Sequence, residues 1–317
     1  VVCDDSEMNG TDADYNGLGL FTLSDADEYV LSLIVANPNN DITDASELTV
    51  TYYLTEQDAL LELNQLPNEY ISEVPNQQEI YLRVERGNDC FGINSMTLEV
   101  LPVPEIIVPT PLEECDDDYD GIVSFFDLSQ KTEEILNGQT GISVSYYETL
   151  FNAESGENPI EGLYTNIEAD TQTLYVRLVD ELNNCVSSTS LDLIVHPLPE
   201  IIVPTPLEEC DDDYDGIVSF FDLSQKTEEI LNGQTGISVS YYETLFNAES
   251  GENPIEGLYT NIEADTQTLH VRLEVDETGC YATTTQELIV NPIPTVLVGP
   301  AYEVCDDDYD GYWILRS

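Results

Sequence analysis

The heptad Cys-Asp-Asp-Asp-Tyr-Asp-Gly occurs three times, at residues 115–121, 210–216 and 305–311. Four carboxylates within seven residues repel one another, and a bound divalent cation reverses the sign of that interaction. Read as D-x-D-x-D-G, the heptad places Asp116, Asp118 and Asp120 at positions 1, 3 and 5 of a calcium loop, with Gly121 at the sharp turn of position 6. Position 7 is Ile122, which offers its carbonyl; position 9 is Ser124, a direct or water-bridged ligand; position 12 is Asp127. The equivalents are Asp211, Asp213, Asp215, Ile217, Ser219 and Asp222, and the last copy retains Asp306, Asp308, Asp310 and Tyr312. The helix-loop-helix version of this loop carries glutamate at position 12 between two helices, and neither is expected here. The reading is a calcium loop grafted onto a β domain. Near the N-terminus the spacing survives as Asp12, Asp14, Asn16 and Gly17, but position 12 is Leu23 and Asp25 lies nearby, so that site is weaker or differently built. Soft metals require sulfur or imidazole, and magnesium rarely uses an all-protein cage. Ca2+ is therefore the expected cofactor. A merely solubilising acidic loop has no need of carboxylates at alternate positions.

Charge narrows the function classes. Asp and Glu number 64 against 7 Lys and Arg, for a formal charge of −57. Such a polyanion repels nucleic acid and anionic membrane surfaces, and its small partners are cations. The 41% hydrophobic content is enough for ordinary cores. No run of about 18 apolar residues is present, so no membrane-inserted helix is expected in this segment, and no signal peptide is visible. The chain starts at "VVCDD" and stops at "GYWILRS", which reads as an excerpt from a longer protein.

The elements that hold these loops repeat as well. Pro104–Leu174 is identical to Pro199–Leu269. "LTVTYYLTEQDALLELNQLPNEY" at 48–70 is a diverged copy of "ISVSYYETLFNAESGENPIEGLY" at 142–164, and "IYLRVERGNDC" parallels "LYVRLVDELNNC". The unit is the size of a sandwich domain. Boundaries are placed at 1–103, 104–198 and 199–293, with 294–317 the start of a further repeat. Of the seven cysteines, each unit has one at its acidic loop and one near its end. That pattern predicts bonds within units, Cys3–Cys90, Cys115–Cys185 and Cys210–Cys280, with Cys305 left over. No C-x-x-C motif points to zinc or redox chemistry, and regular wide spacing suggests disulfides in an oxidising, extracellular setting.

Strands dominate. Ile142, Val144 and Tyr146 alternate with Ser143, Ser145 and Tyr147. Leu174, Val176 and Leu178 share a face, as do Leu191, Leu193 and Val195, and the "ELNN" turn between the two segments makes a hairpin. "SQKTEEILNG", with Ser129 as cap, and "TLFNAESG", ending at Gly156, are short helical turns. The fold class is all-β: tandem immunoglobulin-like antiparallel β-sandwiches. "HPLPEIIVPTPLEE" and "NPIPTVLVGP" are stiff proline-rich joints, in which "EIIV" and "TVLV" read as first strands. Little slack remains, so the domains should follow head to tail as a rod.

No Ser-His-acid or Cys-His constellation emerges, and neither His196 nor His270 belongs to a shared set. Lys131 and Lys226 occupy one repeat position, where an isopeptide crosslink is a remote alternative to a solvated lysine. The 19 tyrosines are explained mainly by strand packing, with glycan stacking the minority reading. Paired carboxylates can serve glycosidases, but these lie adjacent in one loop rather than across a cleft, so an enzyme is not expected.

The segments "ECDDDYDG…FDL", "SYYET…NAESGENPI", "TQTLYVRL" and "GCYATTTQELIVNPIP" together resemble the tandem modules of very large Bacteroidota surface proteins exported by the type IX system. These include gliding-motility adhesins of the SprB kind, and grappling filaments of related predatory marine species are built from similar giant proteins. The resemblance covers the three units and the stub. It implies a secreted, extracellular stalk or filament segment of a cell-surface adhesin, for attachment, gliding or prey capture. The implied partners are neighbouring repeats, identical chains in a fibre, and surface glycans, prey or substratum met through a tip. The alternative function is a glycan- or protein-binding module, which exposed aromatics clustered on one face would favour.

Overall fold

The computed structural model describes residues 1–4, 16–37, 41–87, 90–297 and 299. The chain divides into two compact units. One comprises Val1–Glu114 with Asp120–Val195, and the other Cys115–Tyr119 with the chain from His196 onward.

Repeat 1 contains β1 (Val2–Cys3), β2 (Leu20–Thr22), α1 (Asp27–Ala36), β3 (Leu48–Tyr53), α2 (Glu56–Leu61), β4 (Glu69–Ile71), β5 (Gln77–Arg86) and β6 (Cys90–Leu101). Repeat 2 contains β7 (Leu112–Cys115), α3 (Thr132–Leu136), β8 (Ile142–Tyr147), α4 (Leu150–Ser155), β9 (Thr171–Asp180) and β10 (Val186–His196). Repeat 3 follows with β11 (Leu207–Cys210), α5 (Thr227–Leu231), β12 (Ile237–Tyr242), α6 (Leu245–Ser250), β13 (Thr266–Val275) and β14 (Tyr281–Asn291). Each repeat forms one four-stranded sheet, in the orders β1-β6-β5-β3, β7-β10-β9-β8 and β11-β14-β13-β12. The opposite layer is thin. In repeat 1 it is the β2–β4 pair, with Phe21 opposite Tyr70; in the others it shrinks to the bridges Phe126–Tyr164 and Phe221–Tyr259. The architecture is an all-β, immunoglobulin-like sandwich in three copies.

Period-two alternation builds the core. Gln172, Leu174, Val176 and Leu178 of β9 face inward, as do Leu191, Leu193 and Val195 of β10, and Phe126 and Ile135 close the other side. Each fully buried Leu or Phe stabilises by about 1.5–3 kcal/mol. Both polar atoms of the buried Gln172 amide are hydrogen-bonded. Its Nε2 donates to the Tyr164 hydroxyl at 2.7 Å, and its Oε1 accepts from the N–H of Ile167 at 2.7 Å. Gln267 does the same with Tyr259 and Ile262. Three of the seven basic residues brace the helical turns: Arg83, Arg177 and Arg272 donate to the carbonyls of Ala59, Ala153 and Ala248, near the C-terminal ends of α2, α4 and α6. A cation is favoured there by the helix dipole.

The structure departs from the sequence expectations in three places. In repeats 1 and 3 the first strand of the sheet runs parallel to the last, with Val2 beside Val100 and Leu207 beside Leu288, so these sheets are not wholly antiparallel. Glu105–Val108 forms no strand; prolines on either side lack the N–H a ladder needs, and the strand begins only at Leu112. The first helical segment is capped by Asp127, which accepts from the N–H of Ser129, rather than by Ser129 itself.

Replacing Gln267 by Leu keeps the volume but strands the Ile262 N–H and takes one of its two partners from the buried Tyr259 hydroxyl, which keeps Glu243. The expected loss is about 1–3 kcal/mol in denaturant unfolding of repeat 3; a neutral or stabilising result would mean the network is not formed.

Candidate functional site

Each acidic loop starts where the first strand leaves the sheet and ends where Gly121 or Gly216 turns into the core. Repeat 3 shows the geometry. Asp211 Oδ1 accepts from the N–H of Asp213 at 3.2 Å and of Tyr214 at 3.0 Å, and its Oδ2 accepts from the N–H of Gly216 at 3.1 Å. Asp213 Oδ1 accepts from Asp215 N–H, and Asp215 Oδ1 from Ile217 N–H. Tyr214 and Gly216 both take positive φ, 74° and 77°, which curls the loop around its own carboxylates. A Cβ on Gly216 would sit 2.8 Å from Asp265 Oδ1 and 3.0 Å from its nitrogen, so no other residue fits there without displacement. Asn261 clamps the loop to the sandwich: its Oδ1 accepts from Val218 N–H, and its Nδ2 donates to the Gly216 carbonyl. Asn166 does the same for Val123 and Gly121 in repeat 2.

One carboxylate oxygen from each of Asp211, Asp213 and Asp215 lies within 4.8 Å of the others, and Asp116, Asp118 and Asp120 form the same cluster. The charges are unequal in their surroundings. Burial pushes the Asp211 carboxyl up, but donation from the N–H groups of Asp213, Gly216, Tyr214 and Asp212 outweighs it and holds the group below its ordinary range. Burial, then the neighbouring Asp215 charge, pushes Asp213 above its ordinary range. Three oxygens converge on one point under mutual repulsion, and hard oxygen donors of this type suit a hard divalent cation.

Asp127 and Asp222 lie outside the clusters, accepting from the N–H and hydroxyl of Ser129 and Ser224. The carbonyls of Ser124 and Ser219 accept from Thr165 and Thr260. The N–H groups of Ile122 and Ile217 donate into the loop at Asp120 and Asp215. In repeat 1, Asn16 plays the part of Asp215, accepting from Leu18 N–H. Asp4, which the spacing argument passed over, plays the part of Asp211: it is 7% exposed and its Oδ2 accepts from Gly17 N–H. Its signal was its place directly after Cys3, hidden by the longer run before Asn16. Asp12, Asp14, Asp306, Asp308, Asp310, Tyr312 and Cys305 lie outside the described residues.

The cysteines correct the expected pairing. Cys3 bonds to Cys185 and Cys115 to Cys280, each with Cα atoms 5.5 Å apart, while Cys90 and Cys210 are free thiols on the surface. The pairs Cys3–Cys90, Cys115–Cys185 and Cys210–Cys280 do not form. Sheet register explains why. Cys3 lies beside Leu101 and Cys210 beside Asn291, at one end of the last strand, whereas Cys90 begins β6 and Cys280 precedes β14 at the other end. Eleven residues of strand separate them by about 35 Å, against a disulfide limit of about 7 Å. The loop cysteine of one repeat therefore bonds the end cysteine of the next.

The chain belongs to the Flavobacterium inter-domain disulphide bond domain (FIDD) family. The family matches three times, at residues 1–104, 111–199 and 206–294. None of the curated proteins matches the chain in sequence. Among solved structures it is similar to titin domains I67–I69, at 12% identity over 78% of this chain and 88% of that one, with a TM-score of 0.27. Sidekick-1 immunoglobulin domains 1–4 match at 9% identity over 87% and 72%, with a TM-score of 0.22. Drosophila N-cadherin EC1–4 matches at 11% over 80% and 68%, with a TM-score of 0.18. Disulfides between FIDD repeats belong to an oxidising, extracellular environment. Among the described residues, no helix is long and apolar enough to cross a membrane.

Beside the Cys115–Cys280 bond the chain adds polar contacts. Asp116 N–H donates to the His196 carbonyl at 2.9 Å, and the Tyr119 hydroxyl donates to the Pro199 carbonyl at 3.0 Å. Non-reducing peptide mapping is expected to recover Cys3–Cys185 and Cys115–Cys280, with Cys90 and Cys210 alkylated without reduction; a Cys115–Cys185 or Cys210–Cys280 peptide would overturn this geometry. Gly216→Ala is expected to cost about 1–3 kcal/mol, because strained backbone and a blocked Cβ add; differential scanning calorimetry reads the loss.

Proposed function

We propose that this chain is a stalk or filament segment of a large, calcium-stabilised cell-surface adhesin serving surface attachment, gliding or prey capture. The observation that supports it is the staggered bonding of Cys3 to Cys185 and Cys115 to Cys280, which makes consecutive repeats share covalent load. A repeat copied residue for residue suits a spacer better than a catalyst. The same stagger would give Cys210 to the end cysteine of a following repeat and Cys90 to the loop cysteine of a preceding one. Neighbouring repeats are thus the first partners; identical chains in a fibre, and glycans, prey or substratum met at a tip, belong to the same reading, as does export by the type IX route. Exposed Phe151 and Phe246, at one repeat position, favour the alternative of a glycan- or protein-binding module.

Calcium is the ion this reading assigns to the acidic clusters, with Asp211, Asp213 and Asp215, and Asp116, Asp118 and Asp120, as carboxylate ligands. Its contribution would be charge: it turns repulsion among the three groups into attraction to a common centre. Because Tyr119 touches Pro199, an ordered loop would also stiffen the joint into repeat 3.

Two measurements test the reading. In calorimetry, calcium at a hundredfold excess over the dissociation constant is expected to add about 2.7 kcal/mol per site, and chelation to remove it. The variant Asp213→Asn with Asp215→Asn should be more stable than the parent in chelator, since repulsion is relieved, yet gain nothing from calcium in repeat 3. Melting indifferent to calcium would leave the loops as solvated acidic turns. An antibody to the repeats is expected to label intact cells; labelling only after permeabilisation would contradict surface display.

A further inference from the structure

The lead-in segments of repeats 2 and 3 are straps. In repeat 2, Pro104 and Pro109 are buried, and the strap is hooked at both ends. The Ser187 hydroxyl of β10 donates to the Pro104 carbonyl at 2.9 Å, and Gln139 both accepts from the Glu105 N–H and donates to its carbonyl. Glu134 accepts from the Thr110 N–H at 2.6 Å, and Lys131 donates to the Thr110 hydroxyl. In repeat 3, Pro199 and Pro204 are buried, and Glu200 and Thr205 meet Gln234, Glu229 and Lys226 in the same way, while Gln286 of β14 donates to the Thr205 carbonyl. The strap fills the cleft between the helical segment and the last strand.

In repeat 1 no described residue occupies that cleft. Between α1 and β6 runs an apolar groove of about 430 Å³ lined by Tyr29, Val30, Leu33, Ile34, Ile93 and Met96, among others. A second groove, of about 460 Å³, shares Ile34, Val84 and Gly92 with it and reaches the free thiol residue Cys90. The correspondence is fixed by contacts. Phe21 faces Tyr70 as Phe126 faces Tyr164, and Asp27 accepts from the Tyr52 hydroxyl where Thr132 meets that of Tyr146. Counting from there, Ala26 stands for Lys131 and Tyr29 for Glu134, so the polar hooks are replaced by a methyl and a ring. α1 also runs ten residues against five in α3, which adds Leu33 and Ile34 as a further apolar wall. Tyr29 and Leu33 are 68% and 54% exposed as a result.

We infer that this groove is the seat of a strap leading into repeat 1 from the residues ahead of Val1: extended, carrying two prolines, and apolar where Glu105 and Thr110 are polar. The register sets its place, because Val2–Cys3 pairs with the end of β6 as Leu207–Cys210 pairs with the end of β14. Filling the groove would bury α1's exposed face with no polar hook, by hydrophobic contact alone. The inference holds whether or not calcium binds and wherever the protein is displayed.

The test extends this chain at its N-terminus with the strap sequence of residues 104–112 carrying Glu105→Leu and Thr110→Val, fused directly before Val1, and compares it with the unextended chain and with a scrambled strap of equal composition. The expected result is a several-fold drop in hydroxyl-radical labelling of Tyr29 and Met96 with the strap alone, and its loss in the exposed-site variant Leu33→Asp. Labelling equal for strap and scramble would overturn the inference. So would protection in the unextended chain that rises with protein concentration, which would make a second copy the occupant.

Discussion

Everything in this chain turns on the distance between the two ends of one β-strand. The loop cysteine and the end cysteine of a repeat sit at opposite ends of the same last strand, so they cannot meet. Each must find a partner in a neighbour, and the result is a stagger in which Cys3 takes Cys185 and Cys115 takes Cys280. Bridges spanning 182 and 165 residues are each worth about 5 kcal/mol in the chain-entropy model. Each bridge also joins one repeat to the next through sulfur, in addition to the proline-rich joint.

The acidic loop belongs to the same device. It begins at the bonding cysteine, and its residues reach the joint through Asp116 and Tyr119. A set of three carboxylates is costly to hold together, and the loop offsets part of that cost with its own N–H groups at Asp211. Burial, then the neighbouring Asp215 charge, raises Asp213, and a cation would remove the repulsive part. The disulfide fixes where the loop starts, at Cys115 in repeat 2.

Much of the fold was legible in the residues. The alternation in "LYVRLV" and "LDLIV" yields the β9–β10 hairpin with the inward faces as read, and "TLFNAESG" is the helical turn α4. The D-x-D-x-D-G spacing brings its three carboxylates together in two repeats. Pairing of the cysteines was not legible, because bonding within a unit and bonding to the next satisfy the same count and the same 95-residue step; only the parallel pairing of a short edge strand decides between them. That edge strand hides its direction, since a four-residue segment such as Leu207–Cys210 has no periodicity of its own. Asp4 was missed for a related reason: the longer connection to Asn16 breaks the spacing that marks Asp211. Tertiary register, not local pattern, carried both pieces of information.

Single-molecule stretching between the termini tests the covalent stagger most directly. With both bridges intact, the shortest covalent path from Cys3 to Cys280 runs through about 70 residues between Cys115 and Cys185, so that span should extend to about 250 Å on full unfolding. After reduction the same span should reach about 970 Å. Extension to the longer value in unreduced protein would contradict the account, because it would show that consecutive repeats are not covalently strapped to one another.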